Sequence, residues 1–162
     1  MAVDMFLELS EIPGESQKQD HETHWDLLSF SYGVVQHGSF DIGGKGGGSG
    51  KAEFQDISSV KWVDKASPVI FKSCASGKHF DKATIHVRKA GEHPMEYLKI
   101  ELENLIISSV HNSGAAAADD LPVESVMMNC AKITEYYTEQ MADGSKGSQS
   151  QGGFDIRAGV EV

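Results

Sequence analysis

Four groups of residues have types and spacings that could do chemistry. His21-Glu22-Thr23-His24 resembles the zinc-binding H-E-x-x-H signature but is one residue short of it. It lies in polar sequence with no apolar helical face to hold it, so a solvated loop is the default, and a metal-dependent hydrolase using His21 and His24 is a distant reading. Ser58-Ser59-Val60-Lys61 matches the S-x-x-K acyl-enzyme pattern. On a strand, a separation of three puts Ser58 and Lys61 on opposite faces, so the amine cannot activate that hydroxyl. Cys74 and Cys130 form neither a disulfide framework nor a metal spacing, and each suits a small buried position. The glycine-rich run Asp41–Lys51 invites comparison with phosphate-binding loops. Lys45 stands where G-x-x-x-x-G-K-[ST] needs Gly, Ala52 follows Lys51, and no helix follows to supply a dipole. A flexible surface loop is expected there. No catalytic residue, cofactor or metal is expected.

The elements that would have to carry these groups read mostly as strands. Met5–Leu9 alternates as a short opening strand, and Ile12–His24 is a loop headed by Pro-Gly. Trp25–His37 puts Leu28, Phe30, Tyr32 and Val34 on one face, with Ser29, Ser31 and Gly33 on the other. Ala52–Val63 is a third strand. A helix is expected over Ser67–Ser76, with Ser67 as N-cap, Pro68 at the first helical position and Gly77 as a left-handed stop. Lys82–Lys89 and Met95–Val110 read as a strand pair joined around Ala90–Pro94. Leu98, Ile100 and Leu102 alternate with Lys99, Glu101 and Glu103. After Asn104 the run Leu105-Ile106-Ile107 is apolar on both faces, as in a strand entering contacts on both sides. His111–Pro122 is a loop, Glu124–Glu139 a long strand, Ala142–Gly153 a flexible connection and Phe154–Val162 a closing strand. The fold class expected is mainly β: one compact antiparallel barrel domain over residues 1–162, with about seven strands and one short helix near 67–76.

Composition narrows the functions. A chain of 162 residues is long enough to bury a core without disulfide staples. Lys+Arg 14 against Asp+Glu 24 gives a net charge of −10, which argues against nucleic acid and anionic membranes, and no apolar run is long enough to insert in a bilayer. Asp4, Glu8 and Glu11 occupy positions where a signal peptide needs a basic start and an apolar stretch, so export is expected to bypass signal-peptide cleavage. Cysteine usage fits synthesis in a reducing cytoplasm. Lys65, Lys72, Lys78, Lys82, Arg88 and Lys89 concentrate positive charge. They read either as solvated side chains or as a patch facing Asp119-Asp120 or Glu101/Glu103 of another copy.

Several segments, in order along nearly the whole chain, carry a family resemblance. They are MAVDMFLEL at the start, GES at Gly14–Ser16, DLLSFSYGV at Asp26–Val34, QDIS at Gln55–Ser58 and DKASP at Asp64–Pro68. CASGKH at Cys74–His79, ATIHVRKAG at Ala83–Gly91, EYLKIELENLIISSV at Glu96–Val110 and ADGSKG at Ala142–Gly147 continue the series. Together they resemble the Hcp family, the haemolysin-coregulated tube proteins of type VI secretion. Family members often carry Trp where Phe154 stands, a conservative difference. The resemblance implies a β-barrel with one helix, a homo-hexameric ring, and rings stacked into a hollow tube. A contractile sheath would drive that tube, tipped by a trimeric spike, out of a Gram-negative cell. Small effector proteins would ride or be chaperoned in the ring lumen, a virulence role for a protein secreted from the cytoplasm.

Under that resemblance Ser29 and Ser31 are lumen candidates. Trp62, Leu105 and Ile107 are core or ring contacts. Arg88 and Lys89 would face a neighbouring subunit. The Asp41–Lys51 loop, the loop beginning at Ala90 and Arg157 would meet the next ring. The competing reading is a free-standing β-barrel ligand-binding or lectin-like module with the glycine loop as a lid.

Overall fold

The computed structural model describes residues 2–39, 48–116 and 121–162. The strands are β1 (Val3–Glu8), β2 (Trp25–Ser31), β3 (Val34–Val35), β4 (Gly38–Ser39), β5 (Gly48–Ser49), β6 (Glu53–Phe54) and β7 (Ile57–Trp62). After helix α1 (Ser67–Ser76) come β8 (His79–Lys89), β9 (Met95–Ser113), β10 (Val123–Gln140), β11 (Lys146–Asp155) and β12 (Val160–Glu161). Six of them close an antiparallel barrel in the order β1-β2-β7-β10-β9-β8, because β10 pairs with β9 as well as with β7. Strands β11 and β12 continue the sheet outward from β10, and β3–β6 and β4–β5 form small ribbons.

Alternation decides which side chains fill the barrel. Leu7 lies opposite Ile85 and Met5 opposite Val87, all packed in the core, while the intervening Phe6–His86 pair points to the outer wall. That period breaks where the wall bends. Asn104 has φ 51, a left-handed value that asparagine tolerates better than most residues. Before it Ile100 and Leu102 are buried; after it Leu105 and Ile107 are. The neighbours change phase at the same level, from Phe80 to Ala83 in β8 and from Cys130 to Ile133 in β10. The apolar run after Asn104 is therefore a phase change rather than a strand buried on both faces. At 1% and 2% exposure, Leu105 and Ile107 are core residues of their own protomer, not surface for another.

Three further expectations are corrected. Trp25–His37 and Ala52–Val63 each break in two. A bulge after Leu27 moves Leu28 to the surface and lets Phe30 and Tyr32 pack against the core. Ala142–Gly153 is largely the strand β11, entered through a turn in which Asp143 accepts bonds from the Ser145 N–H and Oγ. Pairing with β10 supplies backbone hydrogen bonds whatever the side chains are, so composition was a poor guide there. The helix spans the expected residues, but its start is built by Asp64. Asp64 Oδ1 accepts the Ala66 N–H at 2.9 Å and its carbonyl accepts the Ser67 N–H at 3.1 Å. Ser67 is already helical. Gly77, at φ 67, ends the helix as expected, its N–H bonding the Cys74 carbonyl.

Candidate functional site

Strand β7 alternates Ile57, Ser59 and Lys61 inward against Ser58, Val60 and Trp62. Ser58 and Lys61 thus diverge, and the S-x-x-K pattern assembles no nucleophile. Lys61, 1% exposed, is instead the centre of a buried ionic knot. Its Nζ lies 3.0 Å from Glu124 Oε2 and 2.7 Å from Asp64 Oδ1, and it donates to the Trp62 carbonyl at 3.0 Å. Ser67 Oγ donates to Glu124 at 2.9 Å and accepts the Asp64 N–H at 3.0 Å. The knot ties the start of α1 to the barrel wall. Cys130 is buried in β10, which pushes its thiol up to about 11, so it is a protonated filler at neutral pH. Cys74 is only half-buried on α1.

The histidine segment is not a solvated loop. The Leu9–His24 connection folds back over the outer wall, pinned by Ile12 and by the Trp25 indole, which donates to the Ile12 carbonyl at 2.8 Å. Gly14 passes so close that a Cβ there would sit 2.5 Å from the His24 carbonyl oxygen. His21 is buried and stacks on Phe6 at 4.2 Å between ring centres. Its Nδ1 lies 3.2 Å from His24 Nδ1, and His86 of β8 completes a trio. His86 Nδ1 meets Glu96 at 2.6 Å and its Nε2 meets Glu8 at 3.1 Å. Burial holds His21 and His24 below their ordinary values. Burial opposes charge on His86 too, but the Glu96 and Glu8 carboxylates outweigh it and raise its value. Glu22, between the two loop histidines, is exposed. His86, Glu8 and Glu96 carry no local motif; the β1–β8 register brings Glu8 to His86, and the β8–β9 pairing brings Glu96.

The assembly candidates divide. Ser29 and Ser31 are exposed on β2, Arg157 is exposed beside β12, and Trp62 and Ala90 are half-buried. Arg88 is not available surface. It is 7% exposed, lies over the Phe6 ring, donates to the Gln19 carbonyl at 3.0 Å and has Asp4 at 3.5 Å. Lys89 is half-buried against Tyr97 and Gln140. Glu101 already pairs with Lys82 and Lys99, and Glu103 with Lys132, so the proposed acidic target is occupied within the chain. Asp119-Asp120 and most of Asp41–Lys51 lie outside the described residues.

Two apolar surfaces remain unlike one another. Helix α1 exposes Val69 and Phe71, the latter 64% exposed. Elsewhere a cleft of about 650 Å³ opens between the β3–β6 ribbon and β10–β12, lined by Tyr32, Phe54, Ile133, Phe154, Ile156 and Val162 among others. Burial and a hydrogen bond to Glu135 raise the Tyr32 phenol above its usual range, keeping it neutral. Beside the cleft, β11 leaves the outer edge of residues 146–152 unpaired among the described residues.

The family described as "Type VI secretion system effector, Hcp" matches residues 6–137. Protein hcp1 of Pseudomonas aeruginosa is 42% identical over 164 aligned positions, covering 100% of each chain. Among solved structures, Hcp1 from Salmonella typhimurium superposes with a TM-score of 0.84 at 31% identity, covering 100% of both chains. A structure titled as a type six secretion system protein reaches 0.94 over 99% of this chain and 100% of its own; at 22% identity that likeness concerns the fold alone.

Proposed function

Since the chain belongs to the Hcp family of type VI secretion proteins, we propose that it is a structural subunit of the secretion tube. Six copies close into a ring, rings stack into a hollow tube behind a trimeric spike, and contraction of a surrounding sheath exports the tube with small effectors in its lumen. The subunit is secreted through the type VI apparatus. Among the described residues no helix is long and apolar enough to cross a membrane.

The observation that carries this reading is the pair of unlike apolar surfaces on one protomer. A closed ring built head to tail needs two different, complementary patches on each subunit. The Val69–Phe71 face of α1 and the cleft at Phe54 and Phe154 provide two such patches. The edge of β11, unpaired among the described residues, adds backbone groups that a neighbouring strand would satisfy. Arg157, Ala90 and the Asp41–Lys51 loop are proposed to meet the next ring.

Light scattering with negative-stain microscopy on purified protein should show a single hexameric species with open centres. A monomer at high concentration would overturn the ring and favour a free-standing ligand-binding barrel whose site is the cleft.

Ser29 and Ser31 are proposed to face the lumen, where small polar side chains let cargo slide. Ser31→Trp should lower co-purification of a cargo effector several-fold while rings persist in micrographs. Full loading in intact rings would remove Ser31 from the lumen.

A further inference from the structure

The trio on the outer wall has the makings of a metal centre that the tube reading does not use. We propose that His21, His24 and His86, joined by Glu8, form a structural Zn²⁺ site that clamps the Leu9–His24 loop to β1 and β8. One ligand atom from each histidine lies within 4.8 Å of the other two. A tetrahedral zinc with bonds of about 2.0–2.1 Å sets its ligand atoms roughly 3.3 Å apart. His21 Nδ1 and His24 Nδ1 are already 3.2 Å apart, and His86 Nε2 and Glu8 Oε2 are 3.1 Å apart. Two edges of the tetrahedron therefore exist, and the histidine atoms of the trio lie no more than 4.8 Å apart, about 1.5 Å beyond the tetrahedral spacing, within reach of small side-chain rotations. The Glu8 carboxylate completes the set by turning with His86 toward the loop.

The surroundings fit a zinc site. Glu96 holds His86 Nδ1, which leaves Nε2 as the imidazole's ligand atom, as an outer carboxylate does for a zinc-bound histidine. His21 is immobilised by its stack on Phe6. The nearby Arg88 is balanced by Asp4 at 3.5 Å. Three imidazoles with one carboxylate suit zinc far better than the all-oxygen preference of magnesium or calcium. The trio joins a loop to the barrel and Glu22 lies outside it, so the site is structural rather than hydrolytic. It stands whether or not the protein forms rings.

The test uses tag-free protein stripped with chelator and dialysed against micromolar Zn²⁺, with metal analysis, calorimetry and thermal melts. Wild type should hold one zinc per chain and melt several degrees higher with zinc. Co²⁺ in its place should give the visible bands of tetrahedral coordination. Glu96→Gln should weaken zinc affinity about 10–100-fold. His24→Ala and His86→Ala, or His24→Gln where Ala impairs folding, should hold less than a tenth of an equivalent. His37→Ala, outside the trio, should bind like wild type. Less than a tenth of an equivalent on wild type, or full binding by the folded His24 and His86 variants, would overturn the site.

Discussion

Glu124→Ala should lower stability by about 3–5 kcal/mol in denaturant titration, because it strands a buried ammonium. Glu124 is 0% exposed and Lys61 1%, so water cannot take the place of the lost carboxylate. Ser67 loses its acceptor in the same step, loosening the start of α1. Asp64, 14% exposed and 2.7 Å from Nζ, stays as a partner and keeps the loss toward the lower end of the range. In a chain of this length such a loss lowers the melting temperature by roughly 6–20 °C. The paired replacement Lys61→Met with Glu124→Leu should recover most of the stability, since apolar residues of similar volume remove both charges together. A Glu124→Ala protein within about 1 kcal/mol of wild type would mean that the knot is solvated.

Trp25→Ala is expected to cost a comparable amount, about 3–5 kcal/mol, from the cavity left by a fully buried indole. The consequences extend beyond the core. The indole N–H satisfies the Ile12 carbonyl at 2.8 Å, Gly14 packs against the ring edge, and Lys61 sits 5.7 Å over its centre. Trp25→Phe separates the two contributions. It keeps most of the volume but orphans the Ile12 carbonyl, so a loss of about 1–3 kcal/mol is expected. Equal losses for the two variants would place the whole effect in the hydrogen bond.

The helix was legible because its signals are local: Pro68 tolerated at its start, Gly77 free to turn left-handed at its end. So were the runs around Leu7, Ile85 and Ile100, where inward and outward residues alternate over a few positions. The glycine and serine content of β11 hid a strand, because its order comes from β10, a partner that composition does not encode. Leu105 and Ile107 read as possible contacts only because the phase change at Asn104 depends on a backbone angle. Arg88 read as a surface charge, although it is buried with Asp4 beside it, and nothing local marked Lys61 as the centre of a buried knot with Glu124.

The chemical groups at the outset show the same division. That Ser58 and Lys61 cannot cooperate follows from spacing alone, since strand positions three apart face opposite ways. Residue patterning also implies a mainly β antiparallel fold, and the wording of the segments implies the family. That His21 and His24 are held against the barrel, and that His86 joins them, emerges from long-range packing. That meeting depends on the β1–β8 register and on a loop pinned by Trp25, contacts between residues far apart in the chain. Local spacing fixes which way neighbouring side chains point; which distant side chains meet is set by how the strands pair.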